Sequence, residues 1–313
     1  MANIARTDLA SEAARLWRDS AGETGELQGV KAGEEHLNGF SVSAVEILNE
    51  LGEQALGKPR GRYYTLELPS RFERGAEDFP SAAQAISSLI ARCADLSSCA
   101  NFLIAALGNP DITPDALGPL AASNIIVTRH LKKSAPEQFK AFRTSALCRT
   151  GVLGTTGIES AIQIKTLCNE LKPDCVIAVD ALAGADVSRL CRTVQICGTG
   201  ISPGSGVGND REALNQESLG VPVIALGMPT VIDAGIIANQ QGLQSMFVTP
   251  RDIDSSVRSA GRLIGYGINL ALHPGLTVAD IDMLRLSFCF YMFHVKLFNF
   301  SAFKKTNLFH VKH

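Results

Sequence analysis

The chain has 313 residues, of which 46% are hydrophobic and 19% are charged, a composition that predicts a globular protein with a substantial core. Its formal net charge is −2, which provides no basic surface for a phosphate backbone. Nucleic acid is therefore not expected as a direct partner.

The cysteines and the N-terminal residues bear on the cellular compartment. Eight cysteines form no C-x-x-C pair and several lie in apolar runs, which favours buried thiols of a cytoplasmic protein over disulfides or a metal site. Residues 1–13, MANIARTDLASEA, contain no apolar stretch of signal-peptide length. We therefore expect the protein to stay in the compartment where it is made.

Short apolar runs bounded by turn residues predict strands, and apolar residues spaced i, i+3, i+4 between them predict helices. In chain order these are helix 43–56, strand 62–68, helix 81–96, strands 101–107 and 124–128, helix 157–171, and strands 175–179, 193–196 and 221–226. Ser43 and Ser81 are the predicted N-caps of the first two helices. Continuously apolar strands are typical of a sheet buried on both faces. The predicted fold is α/β, a three-layer α/β/α sandwich with a largely parallel central sheet.

Residues 283–313 differ in composition from the rest of the chain. They hold five Lys or Arg, no Asp or Glu, and seven of the fourteen phenylalanines. Their apolar stretch is short for a membrane span and is interrupted by charge. The preferred interpretation is an atypical tail outside an α/β domain of residues 9–282. The alternatives are an interfacial membrane helix and a buried C-terminal element.

Two aspartates follow predicted strands. Asp115 lies in GNPDITPDALGP, where Thr113 and Pro114 are placed as N-cap and first residue of a helix, and Asp180 directly follows CVIAV. In open α/β sheets ligands bind beyond the carboxyl ends of strands, so both residues are candidates for chemistry. The alternative is structural, because a first-turn aspartate stabilises a helix and a strand-end aspartate often caps a turn.

Other mechanisms lack their usual sequence signals. There is no G-x-S-x-G and no H-E-x-x-H, and the six histidines have no ligand spacing. The glycine-rich segment 198–211, GTGISPGSGVGNDR, matches neither nucleotide-binding template, so no cofactor is expected. It is interpreted as a tightly turning loop that lets backbone approach a bound peptide or another subunit. Carboxylates remain as the candidate catalytic groups.

A set of longer motifs resembles a known family in order and spacing. The motifs are RTDLASEA, LGNPDITPDALGP, GVLGTTGIES, KPDCVIAVDALAG, GTGISPGSGVGNDR, LGVPVIALGMPTVIDA and VTPRDID. Through them the chain, over residues 6 to 282, is similar to the germination proteases of spore-forming bacteria. The resemblance implies a fold similar to that of the hydrogenase-maturation endopeptidases.

The same resemblance implies an activity. Members are endopeptidases of the spore core that degrade small acid-soluble spore proteins when germination begins, and they are homotetramers made as zymogens. The family's two essential aspartates fall on Asp115 and Asp180 here. A pair of partly buried carboxylates resists double ionisation, so it can share one proton and activate water. The alternative at these positions is a metal, as in the maturation enzymes, although no histidine partner is evident.

The N-terminus resembles a cleavage site of this family. Its Thr-Asp-Leu-Ala is close to Thr-Glu-(Ile or Phe)-Ala, which implies autoprocessing between Asp8 and Leu9 and a propeptide of residues 1–8. An acidic residue before the cut requires a cationic or amide-lined pocket, and the candidates by proximity to the motifs are Arg189, Arg192 and Arg211.

Some positions depart from the family's pattern. These are Thr155, Ala185, Gly198 and the tail. The departures motivate a further alternative, a catalytically impaired homologue that only binds spore proteins.

Overall fold

The computed structural model describes residues 7–21, 27–69, 72–73, 75–208, 211–238 and 246–293. Within these residues the strands are β1 (Val30–Leu37), β2 (Phe40–Ile47), β3 (Gly61–Glu67), β4 (Asn101–Leu107), β5 (Thr144–Gly151), β6 (Cys175–Gly184), β7 (Thr193–Cys197), β8 (Val223–Asp233) and β9 (Phe247–Val248). The helices are α1 (Ala10–Ala21), α2 (Glu50–Leu56), α3 (Phe79–Cys93), α4 (Leu117–Ala122), α5 (Arg129–Ser134), α6 (Leu153–Thr156), α7 (Ser160–Leu171), α8 (Gln216–Leu219), α9 (Ala234–Ala238), α10 (Ile253–Leu272) and α11 (Val278–Phe293).

The described strands form one mixed sheet in the order β1-β2-β3-β7-β8-β6-β4-β5, with β9 paired to the end of β8. Strands β8, β6, β4 and β5 run parallel. Strands β1, β2, β3 and β7 are joined to each other and to β8 by antiparallel pairing. The predicted α/β class is confirmed, but the sheet is parallel in one half only. The antiparallel half arises because β1 and β2 form a hairpin and β7 runs against both of its neighbours.

Helices cover both faces of the sheet, as the three-layer prediction requires. On one face α3, α4, α10 and α11 pack in a single apolar cluster that includes the alternating residues Ile177 and Val179 of β6. On the other face α7 and α8 cover the parallel half, and α1 and α2 cover the antiparallel half. Alternate residues of each central strand thus enter opposite cores, which explains why these strands are apolar throughout.

The first predicted helix is wrong over its N-terminal half. The structure has β2 up to Ile47 and a helix only from Glu50. The strand is set by a hairpin in which Asn38 and Gly39 have φ of 52° and 88°, the backbone of an Asn-Gly turn. Ser43 is therefore a strand residue, and Asn49 caps α2 by accepting a hydrogen bond from the Gly52 N–H.

Two further differences concern strands and caps. Residues 124–128 are not a strand, because the Ile126 N–H donates to the side chain of Asn269 on α10 and not to a neighbouring strand. The outer strand β5, which apolar runs did not reveal, lies beside β4 instead. Ser81 lies inside α3, whose N-cap position is Asp78.

Helix α11 crosses the predicted boundary between residues 282 and 283. Ile281 and Leu284 are buried in the core, and the Arg285 guanidinium donates to the Tyr266 hydroxyl. Residues 294–313 lie outside the described residues, so the separate status of 283–313 stays a prediction. In the part that the structure describes, no helix combines the length and apolarity needed to cross a bilayer.

Candidate active site

Asp180 is positioned by the unequal lengths of two parallel strands. β4 pairs with β6 only as far as Val179, whereas β6 continues beside β8 to Gly184. Asp180 was expected to follow its strand directly, but it lies within β6. It is one residue past the last position at which β6 pairs with β4. Its side chain is buried, and the Ala181 N–H donates to its Oδ1 at 2.9 Å.

Asp115 reaches the same place through the loop that leaves β4. Gly108 has a φ of +100°, and a Cβ there would lie 2.1 Å from the Asp115 carbonyl oxygen, so only glycine permits this fold-back. The Asn109 N–H donates to Asp115 Oδ2 at 2.8 Å. Thr113–Asp115 form one turn of 3-10 helix, with Ile112 and not Thr113 at its N-cap position. The loop thus presents the carboxylate directly beyond β4.

The structure brings both predicted aspartates to one cavity. Asp115 and Asp180 line a space of about 430 Å³ together with Arg211, and Asp8 from the N-terminus lines it as well. The cavity lies beyond the carboxyl end of β4, where the antiparallel β9 and the glycine-rich segment close its other side.

The pKa values of Asp115 and Asp180 are shifted to different extents by their surroundings. Burial raises the pKa of Asp180 well above its usual range, and the nearby charge of Asp115 raises it further. Burial also raises the pKa of Asp115, but the Asn109 N–H and the Arg211 guanidinium oppose that rise. Asp180 is thus the carboxyl that resists ionisation more strongly.

The predicted cleavage segment is folded against this site. The Asp8 N–H donates to the Ala183 carbonyl at 2.9 Å, and the Ala183 N–H donates back to Asp8 Oδ2 at 2.8 Å. The Ser205 hydroxyl donates to Asp8 Oδ1 at 2.9 Å. A Cβ on Gly206 would lie 2.2 Å from Asp8 Oδ2. The glycine-rich loop therefore lies against this segment because it lacks a side chain at that point.

The bond predicted to be cut is also contacted. Gln195 Nε2 donates to the Asp8 carbonyl oxygen at 2.9 Å, and Gln195 Oε1 accepts from the Ala10 N–H at 2.7 Å. Leu9 between them is fully buried, and α1 begins at Ala10.

The predicted arginines do not hold the Asp8 carboxylate, whose described hydrogen bonds come from Ala183 and Ser205. Arg189 instead donates to the Ser11 hydroxyl, and Arg192 is exposed. Arg211 lines the cavity and lies 3.7 Å from a Glu159 carboxylate oxygen. No local sequence signal marked Ser205 or Gln195, since one lies in a glycine-rich turn and the other in an apolar strand.

The residues of the same site limit its capacity to bind a metal. Among the described residues, no group of three or more His, Cys, Asp or Glu side chains is placed to hold a metal ion. The three carboxyls that line the cavity, those of Asp8, Asp115 and Asp180, share it with the Arg211 guanidinium, whose positive charge disfavours a bound cation.

Together the mixed α/β sheet and the acidic cavity beyond the carboxyl end of β4 define a protein of the α/β class with a carboxylate-lined site. Comparison with known proteins gives the family. A family model described as germination protease matches residues 6–243. The chain belongs to the germination protease family, and it is accordingly a peptidase.

Individual relatives agree with this assignment. The chain is 42% identical to the germination protease of Caldanaerobacter subterraneus subsp. tengcongensis, with 89% of this chain and 97% of that protein covered. It is 37% identical to the germination protease of Clostridium tetani, covering 88% and 98% of the two chains. The germination protease of Bacillus mycoides is 42% identical over 73% of this chain and 63% of that protein.

A solved structure was also found to be similar. It is the [NiFe] hydrogenase maturation protease HycI from Thermococcus kodakarensis KOD1, with a TM-score of 0.32 and 18% identity over 55% of this chain and 95% of that one.

Proposed function

We propose that this chain is the endopeptidase that starts the degradation of small acid-soluble spore proteins during germination, with Asp115 and Asp180 as its catalytic pair. The observation that carries the proposal is that both carboxyls line one cavity with Asp8, the residue before the predicted cut. The peptidase family supports the reaction class. The family resemblance supports a spore-core location, a zymogen form and a homotetramer, whose mass light scattering would measure as four times 33.3 kDa.

The difference in environment suggests a division of labour. Asp180, which burial and the charge of Asp115 keep protonated, is the general acid. Asp115, which accepts the Asn109 N–H and faces Arg211, is the ionised base. A pair that shares one proton is active only between the two ionisation steps, so the rate should fall on both sides of an optimum.

The reaction then balances within the pair. Asp115 takes a proton from water while the water oxygen bonds to the scissile carbonyl carbon. Asp180 donates its proton to the leaving amine nitrogen as the C–N bond breaks. Proton transfer from Asp115 to Asp180 afterwards restores the starting state. In autoprocessing the carbonyl is that of Asp8 and the amine is that of Leu9.

The test is cleavage of a peptide containing Thr-Glu-Ile-Ala, followed by mass spectrometry. The chain should cut after Glu, and Asp115→Asn or Asp180→Asn should lower the rate by at least about 100-fold, because each removes one half of the acid–base pair. The exposed Asp111→Asn is the matched control and should retain activity. Cleavage that survives either pair substitution contradicts the proposal.

Two rival functions are outcomes of the same assay. Loss of cleavage on chelation, restored by metal, would indicate the metal-dependent, maturation-type peptidase. Binding of the peptide without cleavage by the wild-type chain would indicate the impaired homologue. The same preparations show by N-terminal mass whether the chain begins at Leu9.

A further inference from the structure

The contacts around Thr7–Ala10 resemble those of a protease with its substrate. We propose that the residues holding this segment are the subsites that also receive spore-protein substrates, with Ser205 and the Ala183 N–H reading the acidic residue before the cut and Gln195 binding the scissile carbonyl. This inference rests on the function proposed above and deepens it by naming the groups that set specificity.

Two neutral donors contact the carboxylate of Asp8, and the Lys58 ammonium interacts with its charge. Both carboxylate oxygens of Asp8 are occupied, one by the Ala183 N–H and the other by the Ser205 hydroxyl. Hydrogen bonds to an ionised acceptor are about twice as strong as neutral ones, so two donors suffice to favour a carboxylate over an amide. A neutral glutamine in the same place could accept the Ala183 N–H and donate its NH₂ to the Ser205 hydroxyl, but both bonds would lose the added strength of an ionised acceptor.

The backbone of the segment is held by one main-chain bond to β6 and by one lysine side chain. The Asp8 N–H donates to the Ala183 carbonyl at the end of β6, and the Lys58 ammonium donates to the Thr7 carbonyl at 3.2 Å. Main-chain bonds of this kind bind peptides regardless of sequence, while side-chain sockets select among them. The segment therefore makes both the general and the selective contacts of a bound substrate.

Gln195 bridges the two sides of the scissile bond. Its Oε1 accepts the Ala10 N–H, and this orients the amide so that Nε2 points at the Asp8 carbonyl oxygen. An N–H donor placed at that oxygen is positioned to stabilise the negative charge that develops there during attack. The amide is buried, so water competes little for it.

Gln195 and Asp180, the proposed acid, occupy paired positions on either side of Gly227 in the sheet. Asp180 of β6 pairs with Gly227 of β8, and Gly227 pairs with Gln195 of β7, so the three residues form one row across the sheet. Gly227 has no side chain, and a Cβ there would lie 2.5 Å from Leu182 Cγ. The Leu182 side chain therefore occupies the space over Gly227, between Asp180 and Gln195 in this row.

The experiment compares two peptides, containing Thr-Glu-Ile-Ala and Thr-Gln-Ile-Ala, on the autoprocessed chain and its variants. Ser205→Ala should lower the ratio of kcat/KM for the Glu peptide over the Gln peptide by about tenfold, because it removes one donor to the carboxylate. Gln195→Ala should lower kcat by about 100-fold with little change in KM, because its donor acts on the developing charge. Ser188→Ala is the matched control, since its hydroxyl bonds Asp186 and does not reach this segment.

The results distinguish failure of the subsite assignment from failure of the proposed peptidase function. A wild-type chain that cleaves the Glu peptide while Ser205→Ala keeps the full Glu preference overturns the subsite assignment alone. A Gln195→Ala variant that keeps kcat has the same consequence for the carbonyl contact. If the wild-type chain cleaves neither peptide nor its own Asp8–Leu9 bond, the proposed function fails first. Ser205 is exposed, so its substitution tests the assignment even if Gln195→Ala does not fold.

Discussion

Among single residues, burial of the Asp180 carboxyl lowers the stability of the folded protein whenever that carboxyl would otherwise be charged. Asp180 is buried beside a second acid, and its own charged form is disfavoured by both circumstances. Such a residue is a poor choice for structure alone, because an amide of the same shape would carry no charge. Its presence at the cavity is consistent with chemical use.

The first prediction at this scale concerns stability and pH. Asp180→Asn should be more stable than the wild type at neutral pH, because it removes a buried ionisable group without changing its shape. The pKa of Asp180 is raised on folding above the unfolded value of about 4. Its contribution to stability is therefore fully present below about pH 4 and is lost as the pH rises through the folded pKa.

Thermal unfolding measured at about pH 5 and about pH 8 checks this prediction. The advantage of Asp180→Asn in melting temperature should be larger at the higher pH. The exposed Asp111→Asn should show no such growth. An advantage that is constant, or that shrinks with rising pH, would mean that Asp180 is not held protonated.

Some residues of the candidate site are predictable from the sequence and others are not. Asp115 and Asp180 were both found because each follows an apolar strand, and the structure places both at one cavity. Ser205 and Gln195 escaped prediction because their importance lies only in what they touch, the segment at Asp8, about 190 positions earlier in the chain.

Among the larger elements, the site depends on how closely α4 approaches the end of β4 and the middle of β6. A Cβ on Gly118 would lie 2.2 Å from the Leu107 carbonyl oxygen and 2.6 Å from that of Val179. Both of these atoms are backbone, so neither can rotate away. Glycine thus allows the helix to pack against Leu107, the last residue of β4, and against Val179, the residue before Asp180.

Gly118→Ala should therefore lower the free energy of unfolding by about 1–3 kcal/mol, because the added methyl must push α4 off the sheet. Peptidase activity should fall as well, since Asp115 directly precedes this helix. Denaturant unfolding measures the first effect and peptide cleavage the second. Gly154→Ala, where a Cβ meets nothing within 4 Å, is the control and should be neutral or slightly stabilising. Equal stability of the two variants would refute this packing.

The elements that sequence reasoning missed share a cause. An apolar run was required to predict a strand, so the half-exposed β1 and the Asn-Gly turn before β2 were passed over. The run at 124–128 satisfied the criterion and is still not a strand, because a side chain of α10 takes the hydrogen bond that a neighbouring strand would supply. The hairpin partner of β1 is the next strand in the chain, whereas Asn269, which decides the structure of 124–128, lies 143 positions from Ile126.

At the scale of the whole molecule, the C-terminal limit of the domain is open to a direct test. A chain that ends after residue 282 keeps Ile281 but loses Leu284 and Arg285, whereas a chain that ends after Phe293 keeps both. Burying a leucine side chain stabilises a protein by roughly 1.5–3 kcal/mol. The shorter chain should therefore melt several degrees lower than the longer one.

Differential scanning calorimetry of these two truncated chains gives the comparison, and both lack residues 294–313. Equal melting temperatures would support the boundary predicted between residues 282 and 283. A lower value for the shorter chain would place the end of the domain inside or beyond α11.

Local patterns and family motifs predict the α/β class and the strands β3, β4, β6, β7 and β8, and they mark Asp115, Asp180 and the segment at Asp8 as candidates. The antiparallel half of the sheet, the presence of Asp8 in the same cavity as Asp115 and Asp180, and the donors that contact its carboxylate are known from the folded structure alone. Local patterns reflect the burial and backbone preference of neighbouring residues. Strand direction and contacts between distant residues depend on how the whole chain packs, and no single stretch of sequence records that.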